Sequence, residues 1–254
     1  CIMKRLIYND LLSWKDRVDH KPLVILGARQ VGKTWIMRHF GEQEFESMAY
    51  INCDDEPRVK DLCVPDYDMN RILLTIQVIT GVKVIPGKTL VVFDEIQEVE
   101  RGIHSLKYFC EKLPELHVMV AGSLLGITLR RGESFPVGKV DMLNMYPMNF
   151  SEFLDAIGQQ DMNTIIRSRE WKVMDLVKEK LENLLRQYHY VGGMPNVVAG
   201  YVAHGELLGV RQEQRAILDA YRRDISKHTS ERESIRIGQV LSSLPSQLAK
   251  ENKK

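Results

Sequence analysis

The stretch that decides the fold reads Gly27-Ala28-Arg29-Gln30-Val31-Gly32-Lys33-Thr34. It follows a short apolar run at residues 23–26 and precedes a stretch compatible with a helix at residues 35–40. The pattern is GxxxxGK[ST]. In such a turn, successive backbone N–H groups and the N-terminus of the following helix surround phosphate oxygens. The context therefore predicts a phosphate-binding loop between a strand and a helix.

Each residue type in this loop has a predicted role in nucleotide binding. Gly27 and Gly32 permit a tight turn and a close backbone approach that a Cβ atom would obstruct. Lys33 is expected to reach the β- and γ-phosphates, and the Thr34 hydroxyl is expected to ligate Mg²⁺. The predicted contacts of ATP or ADP are the loop and the residue after it, namely Gly27, Ala28, Arg29, Gln30, Val31, Gly32, Lys33, Thr34 and Trp35.

A second part of the site is predicted at residues 89–95, which read Thr-Leu-Val-Val-Phe-Asp-Glu. An apolar run of this kind is typical of a strand buried on both faces of a parallel sheet. Ligands bind at the carboxyl ends of such strands, so Asp94 is expected to hold Mg²⁺ and Glu95 to deprotonate an attacking water. The structural alternative for this acidic pair is the N-terminus of a helix.

A third strand is predicted at residues 117–121, followed by Gly122 and Ser123. A small polar residue at the tip of this strand would lie between Glu95 and the γ-phosphate. Ser123 is therefore predicted to sense the γ-phosphate, and the same residue would serve as the N-cap of a following helix. Lys33, Glu95 and Ser123 form the predicted catalytic set.

These three segments resemble the AAA+ ATPases, in the branch that contains the archaeal-type ATPases and the STAND signalling ATPases. The similarity is strongest to a bacterial family whose second motif ends in Asp-Glu-Ile-Gln, here residues 94–97. Further stretches that carry the resemblance lie at residues 121–126, 134–139, 145–154 and 192–195. The resemblance implies an α/β fold with a parallel P-loop NTPase sheet in the order 5-1-4-3-2, a C-terminal helical lid and ATP hydrolysis.

Apolar patterning, together with the resemblance, divides the chain into four predicted parts. Residues 1–22 form a helical leader, 23–148 the AAA+ core, 149–205 the helical lid, and 206–254 a further helical region. Strands are predicted at residues 23–26, 48–52, 90–93, 118–121 and 140–145, and a helix at residues 66–79. The last region resembles the start of the winged-helix domain of these relatives, and the chain is expected to contain that domain only in part.

The resemblance also places residues outside the core beside the nucleotide. Pro195, in Gly192-Gly193-Met194-Pro195, would lie against the base or ribose, although an ordinary helix end followed by proline is the alternative. Arg5 in the leader would touch the nucleotide, although its own pattern favours a solvated helix face.

An arginine from a neighbouring subunit often completes such sites, which implies a homo-oligomer. Arg130 and Arg131 precede the fifth predicted strand, and relatives place an arginine where this chain has Lys139. Lysine lacks the planar fork of arginine, which argues against Lys139 as the catalytic cation. Arg29, within the loop, is a further candidate. Surface ion pairing is the alternative role for each of these residues.

Composition limits the partners. The 254 residues carry a formal net charge of +1, so no global field favours nucleic acid or a membrane surface. No apolar run approaches the ~20 residues of a membrane helix. The four cysteines form neither a CxxC pair nor a zinc-like pattern, which predicts reduced thiols in a cytoplasmic protein. Residues 205–254 hold ten Lys and Arg against seven Asp and Glu, which favours a solvated helical face over a DNA-binding surface.

Three hypotheses for the function follow. The first is a Mg²⁺-dependent ATPase that acts as a switch or motor on a macromolecule through the C-terminal region, with DNA the leading candidate and protein the alternative. The second is a slowly hydrolysing nucleotide-dependent scaffold or signalling module. The third is a small-molecule kinase, which the position of Glu95 disfavours because transfer to a substrate needs no residue that activates water. GTP is disfavoured because Asp94 does not begin a DxxG motif and no NKxD motif occurs.

Overall fold

Two units make up the chain in the computed structural model, residues 1–195 and residues 196–254. The structure describes residues 4–122, 136–205, 207–228 and 231–248. Strands of the first unit are β1 Leu23–Leu26, β2 Ser47–Asn52, β3 Thr89–Asp94, β4 His117–Ala121 and β5 Asp141–Asn144. None of the described helices is both long enough and apolar enough to cross a membrane.

The strands form one parallel sheet in the order β2-β3-β4-β1-β5. This is the predicted order 5-1-4-3-2, read from the opposite edge, and each predicted strand end lies within one residue of the observed one. Strand β4 lies between β1 and β3, as predicted. Because all strands run in the same direction, the loops after β1, β3 and β4 open onto the same edge of the sheet.

Helices cover both faces of the sheet. The described helices of the first unit are α1 Ile7–Lys15, α2 Lys33–Glu44, α3 Met69–Thr80, α4 Gly102–Lys112, α5 Phe150–Ala156, α6 Gln160–Ser168, α7 Trp171–Leu176 and α8 Lys178–Val191. Helix α9, Pro195–His204, begins at the last residue of this unit. The second unit continues with α10 Leu207–His228 and α11 Glu231–Leu248, which pack against each other.

Strand β3 shows why the central strands are uniformly apolar. Successive side chains of a strand point to opposite faces, and every residue of β3 is buried. Leu90 and Val92 belong to a core cluster with residues of α1 and α2, whereas Val91 and Phe93 belong to a second cluster with residues of α3 and α4. The sheet therefore separates two hydrophobic cores. The carboxyl end of β3, where the strand ends in Asp94, is the part of this strand that can contribute polar groups to a binding site.

Candidate nucleotide-binding site

The predicted loop connects β1 to α2. Gly32, directly before α2, has φ 96°, a left-handed conformation that glycine adopts without strain. A Cβ atom on Gly27 would lie 2.3 Å from the carbonyl oxygen of Met145, so only glycine fits there without a shift of the backbone. Both glycines are thus required by the backbone, as the motif predicts.

Lys33 lies in the first turn of α2 with its side chain folded back over the loop. Its Nζ donates to the carbonyl oxygens of Gly27 and Ala28, each at 2.8 Å. Burial lowers the pKa of Lys33, and the nearby carboxylates of Glu95 and Asp94 oppose this shift. The ammonium group therefore hydrogen-bonds loop carbonyls, and it could exchange these acceptors for the oxygens of a bound phosphate.

The two motifs meet at a hydroxyl and a carboxylate. Thr34 Oγ1 donates to Asp94 Oδ2 at 2.6 Å, and Asp94 is buried at the end of β3. Oxygen ligands of this kind, beside a phosphate loop, fit Mg²⁺. The alternative of a helix N-terminus is met in part, since Glu95 occupies the N-cap position of the short 3₁₀ helix at residues 96–98 but its side chain makes no capping hydrogen bond.

Glu95 has a strained backbone and an oriented side chain. Its φ of 55° and ψ of 47° are left-handed, which is uncommon for a residue other than glycine and is often found at functional sites. Gln97 Nε2 donates to Glu95 Oε2. Sequence reasoning did not assign a role to Gln97, although it is the last residue of the Asp-Glu-Ile-Gln motif.

Tyr50, on β2, is a second residue that the sequence analysis missed. Its hydroxyl donates to Asp94 Oδ2 at 3.0 Å, and the guanidinium carbon of Arg38 lies 4.7 Å from the centre of its ring. Burial and the Asp94 carboxylate raise the pKa of Tyr50, so the phenol stays protonated and can donate. The apolar-polar pattern of β2 predicts a strand but does not indicate this partner.

Arg5 corrects the expectation of a solvated helix face. It precedes α1 and is 8% exposed. Its Nε donates to Glu152 Oε1 at 3.0 Å, one terminal nitrogen donates to the Val31 carbonyl at 2.9 Å, and the other donates to the Tyr146 carbonyl at 2.7 Å. Glu152 also accepts from the backbone N–H groups of Leu6 and Asn149. The leader, the phosphate loop and the start of α5 are therefore joined by one buried ion pair.

The glycine–proline segment lies close to the loop. Gly192, with φ 77°, ends α8, and Pro195 is the first residue of α9, a position that suits proline. A Cβ atom on Gly32 would lie 3.8 Å from Pro195 Cγ, so the proline ring is beside the loop. Gly193 is packed against Met148, whose N–H donates to the Gly193 carbonyl at 2.6 Å. The ordinary helix end is present and Pro195 lies beside the loop, whereas its contact with the base or ribose stays a prediction.

A cavity of about 410 Å³ adjoins the loop helix. The leader lines one side, α2 another, and α5 and α6 the third; Tyr8, Trp35, His39 and Asp155 are among its residues. Trp35 is 42% exposed, and its ring stacks on that of His39 with centroids 4.8 Å apart. A planar group beside the phosphate loop would find an aromatic surface here.

The remaining predicted residues have the following positions. Among the loop residues, Ala28 and Gln30 are exposed, Arg29 is half-buried and Val31 is fully buried. Ser123, Arg130 and Arg131 lie outside the described residues. Lys139 Nζ lies 2.9 Å from Glu111 Oε1, which raises the pKa of Lys139, so this lysine has the surface ion pair that was its alternative role.

Comparison with known families agrees with this geometry. The AAA domain family matches residues 19–154, more than half of the chain, and the protein belongs to this family. It is accordingly a P-loop ATPase of the AAA class, as the resemblance implied. A domain of unknown function (DUF8612) matches residues 182–254. No curated protein matches the chain.

Three solved structures are similar to this chain at low sequence identity, and the first of them shares its fold. The Walker-type ATPase PABY2304 of Pyrococcus abyssi is 16% identical, with a TM-score of 0.53 over 92% of this chain and 76% of that one. The ORC2 protein of Aeropyrum pernix, in ADPNP–ADP complexes, is 18% identical over 62% and 49%, with a TM-score of 0.37. Drosophila ORC bound to DNA is 13% identical over 83% and 66%, with a TM-score of 0.43.

Proposed function

We propose that this protein binds ATP and ADP together with Mg²⁺ at the loop between β1 and α2, hydrolyses ATP, and acts as a switch on a macromolecular partner. The observation that carries the proposal is the 2.6 Å hydrogen bond between Thr34 Oγ1 and Asp94 Oδ2. This bond brings the phosphate loop and the acidic end of β3 to one point. Lys33 directly precedes Thr34 in the loop, and Glu95 directly follows Asp94 after the strand.

Each group then has a task in hydrolysis. The N–H groups of the loop and the Lys33 ammonium bind phosphate oxygens, and the carbonyls that Lys33 now contacts are exchanged for them. Thr34 and Asp94 hold Mg²⁺, which when bound neutralises charge on the β- and γ-phosphates. Glu95 takes a proton from the attacking water, and Ser123 senses the γ-phosphate.

The base belongs in the cavity between the leader, α2 and the helices α5 and α6. The exposed Trp35 ring offers a stacking surface directly after the loop, which suits a purine attached to phosphates bound at residues 27–34. Pro195 does not line this cavity; it lies beside Gly32, where its rigid ring would contact the sugar or phosphate end of the nucleotide. Within the first unit, residues 149–195 of the predicted lid would thus cover the nucleotide.

The oriented Glu95 favours hydrolysis over the alternative of a scaffold. A scaffold needs binding alone, and a kinase needs no residue that activates water. Glu95 instead lies in a strained turn directly after the metal-binding aspartate, with its carboxylate held by Gln97. Such strain persists only where the surrounding structure imposes it, which is common in catalytic sites.

Lys33→Ala should weaken ADP binding about 100-fold, because two charge-assisted hydrogen bonds to phosphate oxygens are lost. Calorimetry on the purified chain measures this effect. The matched control is Lys88→Ala, since Lys88 is an exposed lysine paired with Glu46, and its ADP affinity should equal that of the parent. If the Lys33 variant and the control bind ADP with equal affinity, the nucleotide does not bind at this loop.

The C-terminal helices α10 and α11 are the part of the chain that would contact the partner. In the second unit, Leu218, Ile235 and Val240 are 55%, 57% and 60% exposed, so α10 and α11 present apolar side chains to solvent. Contiguous patches of exposed apolar side chains mark protein interfaces, whereas DNA is bound mainly through Lys and Arg at its phosphates. These side chains favour a protein partner over DNA, the other partner considered.

DNA binding by this chain should accordingly be weak and non-specific. We expect fluorescence anisotropy with a labelled duplex to show affinity only at low salt, with a steep decline as salt is added, because phosphate contacts act by counterion release. ATP turnover should not change when DNA is present. Tight DNA binding that persists at physiological salt, or faster ATP turnover in the presence of DNA, would contradict the proposal of a protein partner and favour DNA as the partner.

A further inference from the structure

One oxygen of Asp94 accepts two hydroxyl hydrogen bonds. Thr34 Oγ1 and Tyr50 Oη both donate to Oδ2, at 2.6 Å and 3.0 Å. Within the described ranges, no donor contacts Asp94 Oδ1. Among the described residues, the carboxylate is therefore held through one oxygen, Oδ2.

The sheet and the loop helix together place the Tyr50 ring. Strands β2 and β3 are parallel, with Tyr50 paired to Val92 and Asn52 paired to Asp94. Residues two apart on a strand share a face, so Tyr50 reaches Asp94 diagonally across the strand pair. Arg38, on α2, lies over the ring at 4.7 Å and fixes it from the other side by a cation–π contact.

Tyr50 thus connects the two elements that carry the metal ligands. Helix α2 begins with Lys33 and Thr34, and β3 ends with Asp94. A change in the position of either element would alter the contact between Arg38 and the ring, or the hydrogen bond to the carboxylate. Tyr50 does not itself belong to either motif.

We propose that Tyr50 is a positioning residue for the divalent cation: its hydroxyl holds the Asp94 carboxylate in the orientation in which it would bind the metal. The inference rests on the proposed function, since it concerns the Mg²⁺ that accompanies the nucleotide. Groups that hydrogen-bond a metal ligand orient it, and their loss commonly lowers metal affinity about 10- to 100-fold. Tyr50→Phe keeps the ring and its contact with Arg38 but removes one of the two donors to Asp94 Oδ2, so the carboxylate is held by Thr34 alone and less firmly.

The test uses Mn²⁺ as a spectroscopic substitute for Mg²⁺. Free Mn²⁺ is followed by electron paramagnetic resonance while the metal is titrated into the full chain with saturating ADP. Tyr50→Phe should raise the Mn²⁺ concentration for half-saturation at least about 10-fold. ADP affinity in EDTA should match the parent, which shows that the variant is folded. Tyr67→Phe, which loses a hydroxyl partner of Arg101 away from the loop, should titrate like the parent.

A second variant keeps the inference open to test if Tyr50→Phe does not fold. Arg38→Gln removes the cation over the ring and leaves the hydroxyl, so it should raise the half-saturating Mn²⁺ concentration by a smaller factor, about 2- to 5-fold. If Tyr50→Phe binds Mn²⁺ as tightly as the parent, the positioning role is overturned and the proposed function still stands. If Tyr50→Phe does not fold, the same conclusion follows from parental Mn²⁺ affinity in Arg38→Gln. Failure of the parent itself to bind Mn²⁺ with ADP overturns the proposed function, and this inference with it.

Discussion

Glu95→Gln should reduce ATP turnover by at least about 100-fold while ATP binding persists. The amide keeps the shape of the side chain, and its oxygen can still accept the hydrogen bond from Gln97. It cannot, however, take a proton from the attacking water. Phosphate release under steady-state conditions gives the rate, and calorimetry gives the ATP affinity of the same preparation.

The matched control for this variant is Glu98→Gln. Glu98 is an exposed glutamate in the same short turn, so its neutralisation changes the local charge equally without removing the proposed base. Its turnover should stay within about 2-fold of the parent, as is usual for an exposed side chain away from the chemistry. Equal rates in the Glu95 variant and the parent would give Glu95 a structural role and favour the nucleotide-dependent scaffold.

The fold could be predicted because its signals are local. Strand β3 is buried on both faces and reads as an unbroken apolar run, and the loop before α2 needs its glycines for the backbone itself. The order of the strands followed from the resemblance rather than from the residues. The helix predicted at residues 66–79 instead begins at Met69, because Asp68 accepts from the N–H of Asn70 as the N-cap.

Side chains that support the site could not be predicted, because their partners are distant in sequence. Arg5 and Glu152 are separated by 147 positions, and Tyr50 and Asp94 by 44. Periodicity relates residues three or four positions apart and carries no information on such pairs. One signal was available: Asn149 and Glu152 have the spacing of a capping box, and the structure contains that box at the start of α5.

Arg5→Met should lower the free energy of unfolding by about 3–5 kcal/mol, because it leaves the Glu152 carboxylate buried without its cation. The side chains of Arg5 and Glu152 are 5% and 7% exposed, so water cannot replace the lost partner without local rearrangement. The loop also loses its hydrogen bond at the Val31 carbonyl. Urea denaturation followed by circular dichroism measures the change.

Two further variants separate the buried charge from the loss of an arginine in general. Arg58→Met breaks an ion pair whose arginine is 62% exposed, and the free energy of unfolding of this variant should stay close to that of the parent. Arg5→Met combined with Glu152→Gln should recover part of the stability, because no uncompensated charge then remains buried. If Arg5→Met costs no more than Arg58→Met, the pair does not hold the leader, the loop and α5 together. ADP affinity should then be unaffected as well, since the position of the phosphate loop would not depend on Arg5.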